Sequence, residues 1–272
     1  MMSNKTDLAV MRVRHSLKFR LLQVLRVKSV TPHLICVTFT GDDLHDFESA
    51  SFDDHIKVFF PAIASGKPVL PSVGEDGVVF PADQPKPISR DFTPRRYDRN
   101  ALELDIEFAI HEAGPATTWA IQATAGQYLG IGGPRGSLVI PTGFDWHLFI
   151  GDDTALPAIA RRLAELPSSA HSIAVIEVND PTARIEFETQ TELNVIWCYR
   201  NNSINQDCTL LQAVRELTLP KGEGYVWAAG ESTAIRAIRR HLHEERGIDK
   251  AYIRAASYWK KGAEAIHETL DD

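Results

Sequence analysis

The feature that most constrains this chain is a change of pattern near Gly143. Before it, short runs rich in Val, Ile, Phe and Thr are separated by clusters of turn-forming residues, which indicates antiparallel strands in a closed barrel or sandwich. After it, strand-like and helix-like segments alternate, as in a parallel sheet covered by helices. We therefore predict an N-terminal antiparallel β barrel over 1–143, followed by a parallel-sheet α/β domain with a C-terminal extension over 144–272.

Composition and charge exclude several classes of protein. The 272-residue chain carries a formal net charge of −7, whereas a protein that binds nucleic acid normally has a basic surplus. No apolar run reaches the roughly 20 residues of a membrane-spanning helix, and the first residues lack the apolar core of a secretory signal. We therefore expect a soluble cytoplasmic protein with no nucleic-acid partner and no integral membrane segment.

The spacing of cysteine and histidine argues against disulfide and metal chemistry. The three cysteines, Cys36, Cys198 and Cys208, form no CxxC pair, and their odd number fits a reducing compartment better than a disulfide framework. They cannot supply the four thiolates of an integral iron–sulfur cluster. His45, His55, His147 and His171 have no cysteine or carboxylate partner at ligand spacing, and His241 and His243 point in different directions on a predicted helix, so we predict no bound metal.

The segment RDFTPR, residues 90–95, groups the residue types that a flavin site needs. A cation meets the diphosphate, a flat aromatic ring lies against the isoalloxazine, and a small hydroxyl lies near its N5 atom. On a strand, Arg90 and Phe92 share one face while Thr93 points the other way. A solvated basic strand end with an ordinary core phenylalanine has the same pattern, so this motif alone leaves both interpretations open.

A second segment, HEAGPATTWA at 111–120, has the pattern of a strand, a turn and a helix. Gly114 ends the strand, Pro115 suits the first helical turn, and Thr117 can cap it. The exposed amides at a helix N-terminus hold phosphate groups well. The alternative interpretation is a plain strand–turn–helix with a buried Trp119.

Four strand ends of the C-terminal half are candidate ligand sites, because ligands of parallel sheets bind beyond the carboxyl ends of the strands. The chain lacks the G-x-G-x-x-G dinucleotide fingerprint, so this evidence is weaker than that for the flavin motifs. Glu177 and Asp180 favour an unphosphorylated ribose, whereas Arg200 could meet a 2′-phosphate, and these signals conflict. The four ends are 151–154, 177–180, 199–201 and 230–232.

Together, the ordered motifs resemble the siderophore-interacting protein family of FAD-dependent ferric-siderophore reductases. The N-terminal half carries RDFTPR, EFAIH, GPATTWA and GGPRGSL in the family's order, and the C-terminal half carries GDDTALPAI, AAGES and SYWKKG. The resemblance spans about Leu17 to Gly262. Phe92 replaces the usual tyrosine and Thr117 the usual serine. Phe92 can still stack on a flavin but has no phenol to donate, and Thr117 keeps the hydroxyl.

The resemblance implies a ferredoxin reductase-like fold, in which the barrel binds FAD and the parallel-sheet domain binds NAD(P)H. It places Arg90 on the FAD diphosphate and gives Phe92 and Thr93 the catalytic positions, against the isoalloxazine and near N5. It favours NADPH over NADH. The other implied flavin-side residues are His111, Gly114, Ala116, Thr117 and Trp119, and the nicotinamide-side residues are Gly151, Asp152, Thr154, Ala155, Pro157, Gly230 and Glu231.

A set of basic residues is predicted to bind the substrate. Ferric catecholate siderophores are polyanions, and Lys57, Arg95, Lys260 and Lys261 could line a positive docking site, although such residues often only solvate a surface.

The prediction is a reductase that passes hydride from NAD(P)H to FAD and single electrons to iron(III), releasing iron(II). Two alternatives stay open: a flavin enzyme serving free flavin, a quinone or a redox partner, and a non-enzymatic siderophore carrier. A ferredoxin-like electron donor also stays open.

Overall fold

The computed structural model describes residues 8–63, 65–75, 77–111, 114–200 and 209–262, and the backbone of 268–269. Cys208 and the predicted strand end at Asn201 lie outside the described residues. The chain forms two compact units, one comprising Met11–Val139 and the other beginning at Ile140.

The first unit is built from antiparallel strands. Seven of them form one sheet in the order β7-β4-β10-β2-β3-β9-β8, while β1 pairs with β11 and β5 pairs with β6 in separate ribbons. Its elements are β1 (Met11–Arg14), β2 (Phe19–Thr31), β3 (Leu34–Thr40), β4 (Ile56–Phe59), β5 (Ser72–Gly74), β6 (Gly77–Val79), β7 (Ser89–Phe92), β8 (Pro94–Asp98), β9 (Glu103–Ala109), α1 (Pro115–Ile121), β10 (Tyr128–Gly132) and β11 (Gly136–Val139).

The seven-stranded sheet closes through a bend in one short segment. Its two edge strands, β7 and β8, follow one another in the chain and are separated only by Thr93. Because a single residue joins the two edges, the sheet must curl until they meet, which produces the barrel. Phe39, Phe47 and Phe108 are almost completely buried in its interior.

The second unit is a parallel sheet with helices. Its strands lie in the order β14-β13-β12-β15-β16-β17, and neighbouring strands are parallel except for the pair of β16 and β17. The central strands β12 and β15 are buried almost throughout, as expected of strands covered on both faces. Its elements are β12 (Trp146–Asp152), α2 (Leu156–Glu165), β13 (His171–Val178), β14 (Glu192–Tyr199), α3 (Leu210–Glu216), β15 (Gly224–Glu231), α4 (Ser232–Arg240), β16 (Ile253–Trp259) and β17 (Glu268–Thr269).

The chain reverses its direction of winding between β12 and β15. From β12 it proceeds outward through β13 to β14, and it then returns to the other side of β12 to form β15. A reversal of this kind opens a crevice at the carboxyl ends of the two central strands, where parallel α/β sheets bind their ligands. In this chain those ends are Asp152 and Glu231.

The predicted fold class is confirmed, because an antiparallel barrel is followed by a parallel α/β sheet. The sequence pattern does not reveal β10, whose Gly130 and Gly132 weaken the strand signal. Both positions need glycine, because a Cβ atom at either would lie within 3 Å of a side chain, that of Leu70 or Phe19. The helix that follows β15 is α4 as far as Arg240 and then widens into a π-type turn over His241–Glu245.

The described residues contain neither a membrane-spanning helix nor a cluster of metal ligands. Within residues 8–63, 65–75, 77–111, 114–200 and 209–262, no helix has the length and apolar character needed to cross a membrane. The same residues contain no group of three or more His, Cys, Asp or Glu side chains arranged to hold a metal ion.

Candidate functional site

The pairing of β4 with β7 places Arg90 and Phe92 on the inward face of the barrel sheet. Arg90 lies opposite Val58 and Phe92 lies opposite Ile56, and residues paired in this way share a face. Both partners are fully buried. Phe92 is only partly buried, and its ring centroid lies 4.6 Å from that of Phe108 at an interplanar angle of 48°. The Phe92 ring is therefore held by the core while part of it stays accessible.

The bend that closes the barrel is formed by the residue after Phe92. Thr93 occupies the bend between β7 and β8 and is only 7% exposed. At the other end of the segment, Nη1 of Arg90 donates a hydrogen bond to the carbonyl of Ser89 at 2.9 Å, which holds the guanidinium along β7. The cation, the ring and the hydroxyl predicted for a flavin site thus lie on four consecutive residues.

The helix α1 begins shortly after β9. Its N-cap is Gly114, which has no side chain to cap the first turn. A Cβ atom at Gly114 would meet nothing within 4 Å, so the approach to this helix end is clear among the described residues. Thr117 is buried, and its Oγ1 accepts a hydrogen bond from the backbone N–H of His111 at 3.4 Å, which ties the strand end to the helix. Ala116 lies between them in the first turn.

Trp119 belongs to the core of the barrel. It is 6% exposed, and its ring centroid lies 5.7 Å from that of Phe108, 6.1 Å from that of Phe60 and 6.2 Å from that of Phe39. These contacts anchor α1 against the sheet, which is the packing role that the sequence left open. A contact of Trp119 with the cofactor stays a prediction.

The two basic residues predicted for the substrate in the first unit are both in ion pairs. Lys57 Nζ lies 2.7 Å from Asp91 Oδ1, and alternation along the strands puts this pair on the face opposite Phe92. Arg95 Nε lies 3.7 Å from Glu107 Oε1, and burial raises the pKa of the Glu107 carboxyl. Neighbouring carboxylates therefore offset part of the positive charge that these residues were expected to offer.

Asp152 organises the crevice at the switch point of the second unit. It is 3% exposed, and its Oδ1 accepts hydrogen bonds from the backbone N–H of Thr154 at 2.9 Å and from the Thr154 hydroxyl. Its Oδ2 accepts from the backbone N–H of Glu231 at 3.0 Å and from Nε1 of Trp259 at 2.8 Å. One carboxylate thus joins the ends of β12, β15 and β16. Because the protein engages both oxygens, Asp152 is a positioning residue.

Two glycines at these strand ends allow the backbones to approach. Gly230 has φ +148°, and a Cβ atom there would lie 2.5 Å from Oδ2 of Asp152. At Gly151 a Cβ atom would lie 2.4 Å from Cβ of Ala155. Any side chain at either position would push apart the elements that Asp152 joins.

Glu231 caps α4 and also holds the segment after β16. Its carboxylate accepts hydrogen bonds from the backbone N–H groups of Thr233 at 2.7 Å and Ala234 at 3.0 Å. The backbone N–H of Lys261 donates to Oε1 of Glu231 at 3.4 Å. The exposed residues Lys260 and Lys261 are thereby brought to the N-terminus of α4.

The acid and the arginine that gave conflicting signals in the sequence form one cluster. Arg200 donates from Nη1 to Oδ2 of Asp153 and from Nε to Oε2 of Glu177, each at 3.0 Å. Burial opposes the charge on Arg200, but Asp153, Asp152 and Glu177 outweigh it and raise the pKa of the guanidinium. Asp180 caps the short turn that follows β13. The charge of Arg200 is therefore already compensated within the protein.

The residues of the first unit fit FAD. A flavin dinucleotide needs a cation and free backbone amides for its diphosphate, and a flat apolar surface for its ring. The described residues include these groups: the cation of Arg90, the partly buried ring of Phe92 and the first turn of the helix behind Gly114.

The chain matches known families and proteins along nearly its whole length. Residues 23–138 match the siderophore-interacting FAD-binding domain, and residues 144–262 match the siderophore-interacting protein family. The chain is 36% identical to the NADPH-dependent ferric-chelate reductase of Escherichia coli, over 94% of this chain and 98% of that protein. It is 37% identical to the ferric vibriobactin reductase ViuB of Vibrio cholerae, over 92% of this chain and 93% of that protein.

A solved structure gives the same result in three dimensions. The crystal structure of a siderophore utilization protein from T. fusca matches with a TM-score of 0.86 and 36% identity, covering 95% of this chain and 98% of that one. A ferredoxin reductase of carbazole 1,9a-dioxygenase matches with a TM-score of 0.64 at 17% identity, which bears on the fold alone. The chain therefore belongs to the siderophore-interacting protein family, with an FAD-binding domain as its N-terminal half.

Proposed function

We propose that the protein is an FAD-dependent ferric-siderophore reductase that takes its electrons from NADPH or NADH. The observation that carries the proposal is the combination of two sites in one chain. The barrel presents Arg90, Phe92 and Thr93 near one another, and the parallel sheet has a switch-point crevice built around Asp152. The relatives named as ferric-chelate and ferric vibriobactin reductases support the same assignment.

The chain's own residues bind and orient the cofactors in this proposal. FAD, when bound, supplies the conversion of a two-electron hydride into the single electrons that reduce iron(III). Arg90 and the first-turn amides behind Gly114 hold the diphosphate, and Phe92 supports the isoalloxazine ring. Thr93 presents its hydroxyl towards N5. A phenylalanine at position 92 offers apolar contact without a phenol hydrogen bond.

The crevice of the second unit positions the nicotinamide. Asp152 fixes Thr154 and Glu231 at the edges of the crevice, and Gly151 and Gly230 keep its floor free of side chains. We propose that the backbone around these residues meets the nicotinamide half of the dinucleotide.

Exposed cations favour an anionic iron chelate as substrate. Lys260 and Lys261 are exposed, and Lys57 keeps 47% of its side-chain surface exposed despite its ion pair with Asp91. Arg95 is less available because it is paired with Glu107. In a chain with a net charge of −7, each of these local cations attracts an anionic substrate.

We propose that the enzyme works in the cytoplasm. Cys36 is a free thiol, which fits a reducing compartment. A ferredoxin-like protein in place of NAD(P)H is the alternative electron donor.

The test is a visible spectrum of the purified protein, followed by anaerobic addition of NADPH and then of a ferric tris-catecholate with an iron(II) trap. We expect flavin bands that bleach with NADPH and return as iron(II) forms. Bands that return only with free flavin or a quinone would assign another acceptor, and bands that bleach only with reduced ferredoxin would assign another donor. Failure to bind FAD would leave a siderophore carrier.

A matched pair of variants tests the flavin site. Arg90→Gln removes the cation proposed to meet the diphosphate, and we expect FAD affinity to fall by about 10-fold or more, as for loss of a charge-assisted hydrogen bond. Arg12→Gln makes the same change on the exposed strand β1 and should leave FAD affinity unchanged. Equal affinities for the two variants would remove Arg90 from the site.

A further inference from the structure

An arginine lies over two aromatic rings beside the outer strand of the second unit. Arg184 follows the turn Pro181–Ala183, and its Cζ lies 5.1 Å from the ring centroid of Tyr199 and 5.9 Å from that of Trp197. Trp197 and Tyr199 are two residues apart on β14 and so share a face. Both distances are in the range of cation–π attraction. A cation–π contact uses the charge of the guanidinium and not its N–H donors, so these remain for hydrogen bonds to a ligand.

The positive charge of Arg184 is available to a ligand. Arg184 is exposed, and among the residues that the structure describes no carboxylate lies within ion-pair distance of it. Arg200, by contrast, is held by Asp153 and Glu177. The nearby Asp180 uses its carboxylate to cap the turn before Arg184. Of these two arginines, Arg184 is therefore the one whose donors can bind an anion.

The place of Arg184 in the sheet indicates which anion it meets. β13 is the strand next to β12, and in dinucleotide-binding sheets the carboxyl end of the second strand contacts the ribose of the adenosine half. An acid at that position favours an unphosphorylated ribose, and an arginine favours a 2′-phosphate. Here the acid, Glu177, is paired with Arg200, while Arg184 follows the turn after the same strand and has no carboxylate within ion-pair distance in the described part of the chain.

We propose that Arg184, held by Trp197 and Tyr199, binds the 2′-phosphate of NADPH and makes the enzyme prefer NADPH to NADH. A planar guanidinium can donate two parallel hydrogen bonds to one phosphate, and a fixed orientation lowers the entropic cost of forming them. Arg184 is thus a specificity-determining residue of the second unit. This inference rests on the proposed function for its consequence in turnover, but the binding of the phosphate can be measured separately.

The first measurement is calorimetric titration of the FAD-bound protein with 2′,5′-ADP and with 5′-AMP, which differ by the phosphate in question. We expect 2′,5′-ADP to bind more tightly to the unmodified protein. Arg184→Gln should weaken 2′,5′-ADP binding by about 10- to 100-fold, as for loss of hydrogen bonds between charged groups, and leave 5′-AMP binding unchanged. Arg184→Lys keeps the charge without the planar fork and should give an intermediate value.

A control separates this effect from a change of net charge. Arg215→Gln makes the same substitution on α3 of the same unit, where Arg215 is exposed and lies 3.8 Å from Glu245. It should leave both affinities unchanged. Equal binding of 2′,5′-ADP and 5′-AMP to the unmodified protein, or an equal loss of both in Arg184→Gln, would overturn the inference.

Turnover gives the second measurement. The ratio of kcat/KM for NADPH to that for NADH, with a ferric catecholate as acceptor, should fall about 10- to 100-fold in Arg184→Gln. An unchanged ratio in an active variant would overturn the role of Arg184 while leaving the reductase intact. If 2′,5′-ADP binds as expected but no ferric chelate is reduced, the proposed reductase fails and the phosphate site stands.

Discussion

Replacing Asp152 by asparagine tests whether one carboxylate holds the crevice of the second unit together. The aspartate accepts four hydrogen bonds, two from Thr154, one from the backbone of Glu231 and one from the indole of Trp259. An asparagine of the same shape has only one oxygen, and its amide nitrogen must face two of these donors. The best orientation keeps the oxygen towards Glu231 and Trp259 and turns the nitrogen towards Thr154.

The loss of unfolding free energy in Asp152→Asn depends on which of the four hydrogen bonds the asparagine can keep. The Thr154 hydroxyl can rotate and accept from the new amide, but the Thr154 backbone N–H loses its partner, which costs about 1–3 kcal/mol when buried. The bonds from Glu231 and Trp259 become neutral instead of charge-assisted, which removes about 1 kcal/mol each. Since these donors are only partly buried, we expect the lower part of the sum, about 3 kcal/mol. For a unit of this size that corresponds to a fall in Tm of roughly 10 °C.

The assay is thermal and guanidinium unfolding of Asp152→Asn, compared with Asp249→Asn. Asp249 is exposed and caps a short turn through the backbone N–H of Ala251 at 2.9 Å, a role that asparagine fills equally well. Asp249→Asn should therefore change the unfolding free energy by less than about 0.5 kcal/mol. Equal stability of the two variants would show that Asp152 does not organise these strand ends.

Three further predictions concern single residues. Burial, reinforced by the charge of Arg162, lowers the pKa of His147 to about 4. Between pH 6.5 and 4 the unfolded chain therefore binds more protons than the folded one, and the free energy of unfolding should fall by about 3 kcal/mol from pH 7 to 4. In denaturation curves measured across this pH range, His147→Gln should remove this part of the pH dependence. Burial, together with the charges of Asp105 and Glu107, raises the pKa of the Cys36 thiol to about 12. Iodoacetamide at pH 8 should therefore alkylate Cys36 about a thousandfold more slowly in the folded protein than in guanidinium, as followed by peptide mass spectrometry. Similar alkylation rates in the two states would contradict this. Gly230→Ala should lower Tm by several degrees, because the new Cβ atom would lie 2.5 Å from Oδ2 of Asp152. In Gly114→Ala the new Cβ atom meets nothing within 4 Å, so this variant should not show the same fall in Tm. An equal Tm for the two variants would refute the steric explanation.

The fold class was readable from the sequence because it depends on local periodicity. The alternation of polar and apolar residues in β9, and the continuous apolar stretches inside β12 and β15, indicate whether one or both faces of a strand are covered. The sequence did not predict β10, because two of its five residues are glycines, which weaken the strand pattern. These glycines leave space for the side chains of Leu70 and Phe19, which come from distant parts of the chain.

The candidate flavin site was readable in part. Arg90, Phe92 and Thr93 are adjacent in sequence, so the motif places them together, and their contacts with FAD remain predictions. The packing of Trp119 among Phe39, Phe60 and Phe108 was left open by the sequence, because a helical tryptophan can face a ligand or a core with the same pattern. The counter-charges Asp91 and Glu107 gave no signal of their own as partners of Lys57 and Arg95.

By itself, the sequence determined the two-part architecture, the order of the flavin motifs and the family, because each is encoded in neighbouring residues. Only the tertiary structure decided how the charges are used. Asp152 meets donors 79 and 107 positions away, Arg200 is compensated across three strands, and Arg184 is held by rings on β14. Hydrogen bonds and ion pairs act over a few ångströms, so which charge is satisfied and which is free for a ligand depends on strand order and register, which distant segments set together.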